Sequence, residues 1–172
     1  MPLLRVKNRC SELKRLKQRG FVIISLMVLL TVLWTSVAVA AELSIPPQTA
    51  KAGTSVAVPL MIDTIDNLAG IKIVIEYDRK LLHFTKGEKT KKTNSLMHVI
   101  NDKVPGKLII VMAGARGIGG KRFPILILTF ETAKDLKKEQ SAGIEIIDVQ
   151  LMSDQLKDIE HTVKVNPLAI MP

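Results

Sequence analysis

The residues whose types could do chemistry begin with a glycine-rich run that carries basic side chains. Segment 115–122 ends in Gly120-Lys121-Arg122, which is close to the spacing of a phosphate-binding loop. Such a loop needs Ser or Thr after the lysine to hold Mg²⁺, and a helix whose N-terminus receives the phosphate. Arg122 stands in that position, and Phe123-Pro124 opens an apolar strand pattern. We therefore expect a flexible connection between strands here and no nucleotide site.

The histidines and carboxylates do not have the arrangement that catalysis or metal binding requires. His83, His98 and His161 lack the spacing of metal ligands. Glu76 and Asp78 lie two residues apart at the end of a predicted strand, whereas the two carboxylates of a glycosidase face each other across a cleft. Asp78 is better explained as a turn residue that accepts hydrogen bonds from local backbone N–H groups. We predict no enzyme activity, no catalytic residue, no metal and no cofactor.

Lysines are concentrated in the polar segment 86–94, which contains Lys86, Lys89, Lys91 and Lys92. They could form a patch for an anionic surface. A solvated loop is the commoner explanation, since lysines there discourage pairing between the edges of two sheets.

The first 40 residues have the features of an export signal. Seven Lys and Arg residues against one Glu precede the apolar run 21–40, which ends in Ala38-Val39-Ala40. This order predicts a signal peptide with cleavage at the small residues Ala38, Ala40 and Ala41. A helix of twenty residues is about 30 Å long, so an uncleaved membrane anchor is the alternative. In both cases we expect the rest of the chain outside the cytoplasm, in the periplasm, extracellular or anchored, with membrane contact only through 21–40.

Removing that segment changes the charge argument. The whole chain has a formal net charge of +9, but residues 41–172 hold 18 basic and 15 acidic side chains. This near balance excludes nucleic acid as a partner. Residues 41–172 contain no cysteine, and therefore no disulfide or thiolate metal site. Their number matches one domain.

Short apolar segments separated by turn residues follow one another along 41–172. Ile71, Ile73, Ile75 and Tyr77 alternate with more polar positions, which is typical of a half-buried strand. Further strand patterns lie at 55–62, 81–84, 96–100, 108–112, 124–130, 144–151 and 162–165. We predict an all-β protein, an antiparallel β-sandwich of about 8–9 strands, preceded by the N-terminal signal or anchor helix.

Two motifs between residues 43 and 84 point to a family. The first is the Gly-x-x-Val-x-Val-Pro strand at 53–59, and the second is the glycine-preceded alternating strand that ends in Tyr77-Asp78 and is followed by Leu81-Leu82. With the later strands at 106–112 and 125–130, the chain resembles the cohesin domains over nearly all of 42–167. This resemblance implies a jelly-roll sandwich that binds another protein, usually a dockerin, on one flat sheet face. It also implies an association with polysaccharide-degrading assemblies.

The resemblance further implies which residues meet the partner. Strand 69–77 would lie on the binding sheet, and the loop after the sixth strand would lie beside it. Some cohesins have Asn and Asp where this chain has Gly70 and Lys72, and an acidic loop where it has Ala115-Arg116. The reversal implies a partner with different, acidic groups. The predicted partner-binding residues are Lys72, Val74, Glu76, Ala115 and Arg116.

We therefore expect a signal peptide or anchor at 1–40 and, at 41–172, a non-catalytic cohesin-like module for a dockerin-like or other envelope protein. One alternative is a carbohydrate-binding module, which stacks sugars on aromatic rings. Phe123 is its only candidate platform, because Phe84 and Phe130 are expected in the core and Tyr77 is expected to point inward. The other alternative is a membrane-anchored structural component of an envelope or secretion assembly.

Overall fold

The computed structural model of the protein describes residues 40–172, and this part of the chain forms strands and turns but no helix. The all-β prediction is confirmed. None of these residues belongs to a helix long and apolar enough to cross a bilayer. The predicted signal or anchor segment lies outside the described residues. The ten strands are β1 (Ala41–Ile45), β2 (Gln48–Lys51), β3 (Ser55–Tyr77), β4 (Leu82–Lys89), β5 (Met97–Asn101), β6 (Lys107–Thr132), β7 (Gln140–Ala142), β8 (Ile144–Ser153), β9 (His161–Val165) and β10 (Leu168–Met171).

Two long strands, β3 and β6, organise the fold. They pair antiparallel from Ser55 opposite Glu131 to Glu76 opposite Lys107. Their register shifts after Leu60 and again around Leu68, and such bulges bend a strand pair and increase its twist. The segments predicted as separate strands at 55–62 and 69–77 are therefore the two halves of β3, and those at 108–112 and 124–130 belong to β6.

Each half of the long pair belongs to a different layer of the sandwich. The first half of β3 and the second half of β6 make the first layer, in the order β4-β6-β3-β1-β9. The other halves make the second layer, in the order β5-β6-β3-β8. A small separate sheet has the order β2-β10-β7.

The prediction of a wholly antiparallel sheet is wrong at two pairs of strands. β1 runs parallel to β9, and β2 runs parallel to β10. Both pairs join strands that are far apart in the sequence. No hairpin connects them, so their direction is not constrained to be antiparallel.

The core lies between the layers and is filled by the apolar positions that alternate along the strands. Ile73, Ile75, Leu108, Ile110 and Phe130 are fully buried. Edge-on contacts place the rings of Tyr77 and Phe84 at 5.2 and 5.7 Å from the centre of the Phe130 ring, a favourable aromatic geometry. The inward direction predicted for Tyr77 and the core positions predicted for Phe84 and Phe130 are confirmed. The described core residues, from Ala41 to Ile170, form one cluster.

Two connections differ from the sequence prediction, and a third, between β6 and β7, is irregular. The basic segment 86–94 is not wholly a loop, because β4 continues to Lys89. Its remaining turn is fixed by the buried Thr93, whose hydroxyl donates to the Ile125 carbonyl at 2.8 Å. The glycine-rich run 114–120 is part of β6 and pairs with Ile65 of β3, so it is not a free loop. Segment 133–139 is an irregular excursion without a helical turn.

Candidate functional site

The second layer turns one side away from the core, and the register of its four strands shows which residues share that side. Lys72 of β3 lies between Val111 of β6 and Gln150 of β8, and Val111 lies opposite Val99 of β5. Residues paired directly across strands point to the same face. We name this surface the outer face. Its residues are Met97, Val99, Asn101, Lys107, Ile109, Val111, Ala113, Gly70, Lys72, Val74, Glu76, Glu145, Asp148, Gln150 and Met152.

Large apolar side chains are exposed on this face. Met97 is 77%, Val99 65% and Val111 45% exposed. The residues that alternate with them, such as Ile110 and Met112, are buried in the core. The strands are thus apolar on both sides, although the fold requires only one apolar side.

β8 adds a fourth apolar side chain through a local irregularity. Asp148 lies opposite Val74 and Ile146 lies opposite Ile75, which leaves Ile147 as an extra residue on β8. Ile147 is 47% exposed. A bulge of this kind redirects a side chain at the edge of a sheet, so Ile147 borders the outer face beside Asp148.

Two cross-strand ion pairs lie on the face among these apolar groups. The Lys72 ammonium is 2.9 Å from a carboxylate oxygen of Asp148, and the Lys107 ammonium is 3.3 Å from one of Glu76. All four side chains are partly exposed, so each pair contributes about 0.2–1 kcal/mol to stability. Their main effect is to fix the positions of the charges on the surface.

The three predicted residues of β3 therefore differ in what they offer to a partner. Lys72 and Glu76 point outward and are exposed, as predicted. Val74 is on the same face but only 7% exposed, because Ile109 and Asp148 flank it in register and leave little of it uncovered. Val74 supports its neighbours rather than offering apolar area of its own.

The other two predicted residues, Ala115 and Arg116, lie at the end of the outer face. β6 places four residues, 114–117, opposite the single residue Ala69, so the strand bulges there. Ala115 and Arg116 are both exposed in this bulge. The structure thus places all five predicted residues on or beside one surface.

Sequence reasoning missed the exposed apolar residues of the outer face and its border, Met97, Val99, Val111 and Ile147. The strand at 96–100 was predicted, but both of its alternating sets are largely apolar. Periodicity therefore could not show which set points to solvent. The signal for Ile147 is equally weak, because β8 contains two adjacent isoleucines at 146 and 147.

Within residues 40–172, no cluster of three or more His, Cys, Asp or Glu side chains could hold a metal ion. A groove of 460 Å³ beside Tyr77 and Gly106 contains Asp78, whose carboxylate accepts a hydrogen bond from the Lys80 N–H at 2.9 Å. The turn role predicted for Asp78 is confirmed.

The aromatic platform predicted for the carbohydrate alternative is wrong. Phe123 is buried, and the Lys92 ammonium lies 5.9 Å from the centre of its ring. The ring faces the core because Phe123 lies opposite Ile62 in the first layer. The other aromatic rings of the described region belong to the cluster around Phe130, so none offers a flat surface for sugar stacking.

Comparisons with known proteins identify relatives of the same architecture. The family model for the cohesin domain matches residues 41–167. The sixth cohesin of scaffoldin B from Acetivibrio cellulolyticus, solved in complex with a mutant Cel5 dockerin, is similar with a TM-score of 0.68 and 20% identity. The alignment covers 77% of this chain and 99% of that one.

Two further solved structures show the same similarity. The cohesin of the Coh-OlpA-Doc918 complex, a type I cohesin–dockerin complex from Clostridium thermocellum, has a TM-score of 0.64 and 16% identity over 77% of this chain and 99% of that one. A non-cellulosomal cohesin from the hyperthermophilic archaeon Archaeoglobus fulgidus has a TM-score of 0.62 and 13% identity over 77% of this chain and 91% of that one. No curated protein matches the chain. The chain belongs to the cohesin domain family, whose members are non-catalytic protein-interaction modules.

Proposed function

We propose that this protein is an exported cohesin module that binds a protein partner through the outer face of its second layer. The observation that carries the proposal is the set of exposed apolar side chains on that face, Met97, Val99, Val111 and Ile147. Contiguous exposed apolar surface on a soluble domain marks an interaction site. Because these side chains stand on paired strands, a partner would meet a rigid surface that loses little conformational entropy on binding.

The expected strength of the interaction follows from the exposed fractions of these side chains. Full burial of a Val, Ile or Met side chain is worth about 1.5–3 kcal/mol. The exposed parts of the four side chains together correspond to a little more than two complete side chains. Covering them would contribute roughly 3–7 kcal/mol before the costs of association. They could therefore act as the apolar centre of an interface with a polar rim.

The charges suggest what kind of partner fits. Lys72 and Lys107 on the face are each paired with a carboxylate, whereas Arg116 at its end is exposed. A partner with an apolar patch and acidic groups positioned near Arg116 would be electrostatically complementary. We propose a dockerin-like protein or another envelope protein of that description. Two of the similar solved cohesins are in complex with dockerins, which supports this class of partner.

The location of the module rests on the predicted signal. The Ala41 N–H donates to the Glu160 carbonyl at 2.9 Å, and Ala41 is buried as the first residue of β1. Cleavage after Ala40 would leave β1 complete, whereas cleavage after Ala41 would remove a buried strand residue. We therefore propose cleavage after Ala40, with the uncleaved anchor as the alternative. The mass of the native protein distinguishes them: a chain that begins at Ala41 supports cleavage, and an intact N-terminus supports the anchor.

The binding proposal is tested with the immobilised domain 41–172, which contains the described core cluster and the whole segment matched by the family model. Envelope extract and a panel of purified dockerins are passed over the unmodified domain, Val111→Glu and Val163→Glu. Val111 on the outer face is 45% exposed and Val163 on β9 is 42% exposed, so the two substitutions make matched changes on different layers. A charge in the apolar centre of the interface should weaken capture at least tenfold, a loss of about 1.4 kcal/mol.

The expected result is a protein retained by the unmodified domain and by Val163→Glu but lost from Val111→Glu. Equal retention by all three would contradict the use of the outer face. Absence of any retained protein, from the extract and from the dockerin panel, would contradict the proposed function itself.

A further inference from the structure

The two narrow sides of the sandwich have opposite charge. Residues 82–103, which form β4, the following turn and β5, contain five lysines and two carboxylates. Residues 144–164, which form β8, its turn and β9, contain five carboxylates and two lysines. We name these the basic side and the acidic side. Their formal charges are equal in size and opposite in sign.

The strand order places these two sides at opposite ends of the layers. β4 and β5 both pair with β6 on the side away from β3. A side chain added at Gly87 of β4 would meet Ile100 of β5, so these two edge strands lie together. β8 pairs with β3 on the side away from β6. The Ile159 N–H donates to the Leu151 carbonyl at 2.9 Å, so the segment leading into β9 lies against β8.

Ion pairing inside the domain leaves most of these charges available. On the basic side, Lys86 is paired with Glu88 at 2.9 Å. On the acidic side, Asp148 is paired with Lys72. The other exposed charges are Lys91, Lys92, Lys103 and Asp102 on the basic side, and Glu145, Asp154, Asp158, Glu160, Lys157 and Lys164 on the acidic side, so each side keeps its sign.

Each side also carries an exposed apolar group. Met97 and Val99 belong to the edge strand β5. Leu156 is exposed at the tip of the turn after β8, where its φ is 58°. The Leu156 N–H donates to the Ser153 carbonyl at 3.1 Å and the Ser153 N–H donates to the Lys157 carbonyl at 2.9 Å, so the turn holds this side chain outward. An apolar tip between carboxylates fits an apolar edge between lysines.

We propose that copies of this domain associate head to tail, with the acidic side of one copy against the basic side of the next. Contact between two basic sides or two acidic sides brings like charges together, which disfavours a symmetric dimer. The contact of unlike sides is heterologous, so it continues into an open chain of copies unless it closes into a ring. Although Met97, Val99 and Glu145 also belong to the outer face, this inference does not require a foreign partner, because the opposite charges of the two edge segments carry it.

Sedimentation velocity of the domain 41–172 over a range of concentrations tests the association. At about 20 mM salt the weight-average sedimentation coefficient should rise with concentration, and at about 500 mM salt, where charges are screened within a few ångströms, the association should weaken at least tenfold. A single monomeric species at every concentration in low salt would overturn the proposal. A concentration-dependent rise that salt does not weaken would overturn it as well.

Charge reversal provides a sharper test. Two triple variants each reverse the charge of one side. The first changes the basic side and combines Lys91→Glu, Lys92→Glu and Lys103→Glu. The second changes the acidic side and combines Glu145→Lys, Asp158→Lys and Glu160→Lys. All six residues are exposed, so near-UV circular dichroism should show both variants folded. If either fails this check, the salt dependence of the unmodified domain decides.

The expected result is that each triple variant alone stays monomeric in low salt, and that an equimolar mixture associates again. The mixture restores unlike charges at every contact. If the substitutions had prevented association by disturbing the fold, mixing the two variants would not restore it. Failure of the mixture to associate would overturn the proposal. The Val111→Glu variant separates the two proposals, because it should lose partner capture and keep self-association.

Discussion

The glycine-rich segment of β6 gives a demanding test of the structure, because Gly117 packs directly on the backbone of β3. A Cβ added to Gly117 would overlap the side-chain oxygen of Asn67 and would lie 2.6 Å from its carbonyl carbon and 2.7 Å from its Cα. Ordinary contacts of a Cβ begin near 3.4 Å, so Gly117→Ala requires the backbone of Asn67 to move by about 0.8 Å.

Asn67 cannot easily move away from a side chain at position 117. Its side-chain amide donates to a carboxylate oxygen of Asp154 at 2.7 Å, and the next residue, Leu68, is fully buried. Overpacking of this kind costs about 1–3 kcal/mol, and loss of the exposed hydrogen bond adds about 0.5–1 kcal/mol. We therefore expect Gly117→Ala to destabilise the domain by about 2–4 kcal/mol. A domain of about 130 residues loses roughly 3–5 °C in Tm per kcal/mol, so the expected decrease is roughly 6–20 °C.

Gly143→Ala is the matched control. Nothing lies within 4 Å of a Cβ at Gly143, and its φ is not in the left-handed region. The same substitution should leave the stability unchanged or raise it by about 0.4–1 kcal/mol, through the unfolded state. Differential scanning calorimetry of the two variants measures the contrast. A Tm of Gly117→Ala within about 2 °C of the unmodified domain would refute the packing of this segment against β3 and would favour a free loop.

Two further substitutions test the anchoring of the basic turn and the core. Thr93→Val removes a buried hydroxyl that donates to the Ile125 carbonyl, so it should lower the free energy of unfolding by about 1–3 kcal/mol. The control, Thr64→Val, changes an exposed position and should lower it little. Equal midpoints of urea unfolding for the two variants would contradict a structured turn. Phe130→Ala empties the centre of the aromatic cluster and should cost about 3–5 kcal/mol; a loss below about 1 kcal/mol would contradict its full burial.

Sequence patterns predicted the fold where one face of a strand is apolar and the other is polar. Ile71, Ile73 and Ile75 alternate with Lys72 and Glu76, and the structure places the isoleucines in the core. The same pattern predicted which polar residues of β3 point outward. It did not show that β3 is a single strand crossing both layers, because the bulges between its halves leave no mark in hydrophobic periodicity.

The remaining features depend on contacts between distant parts of the chain. The strand nature of the glycine-rich run depends on pairing with Ile65, and the burial of Phe123 depends on its position opposite Ile62. The parallel pairing of β1 with β9 joins residues about 120 positions apart in the sequence. Short-range patterns carry no information on such pairings. The same kind of long-range pairing determines that Met97 and Val99 point to solvent.

The outer face of the second layer is the surface that we propose binds the protein partner. Amide hydrogen exchange of the domain 41–172, free and saturated with the captured partner, tests this proposal most directly. If the partner binds this face, exchange becomes slower in β5, the first half of β6 and β8, and stays unchanged in the second half of β6 and β9. Protection confined to the first layer, with exchange in β5 and β8 unaltered, would contradict the proposal.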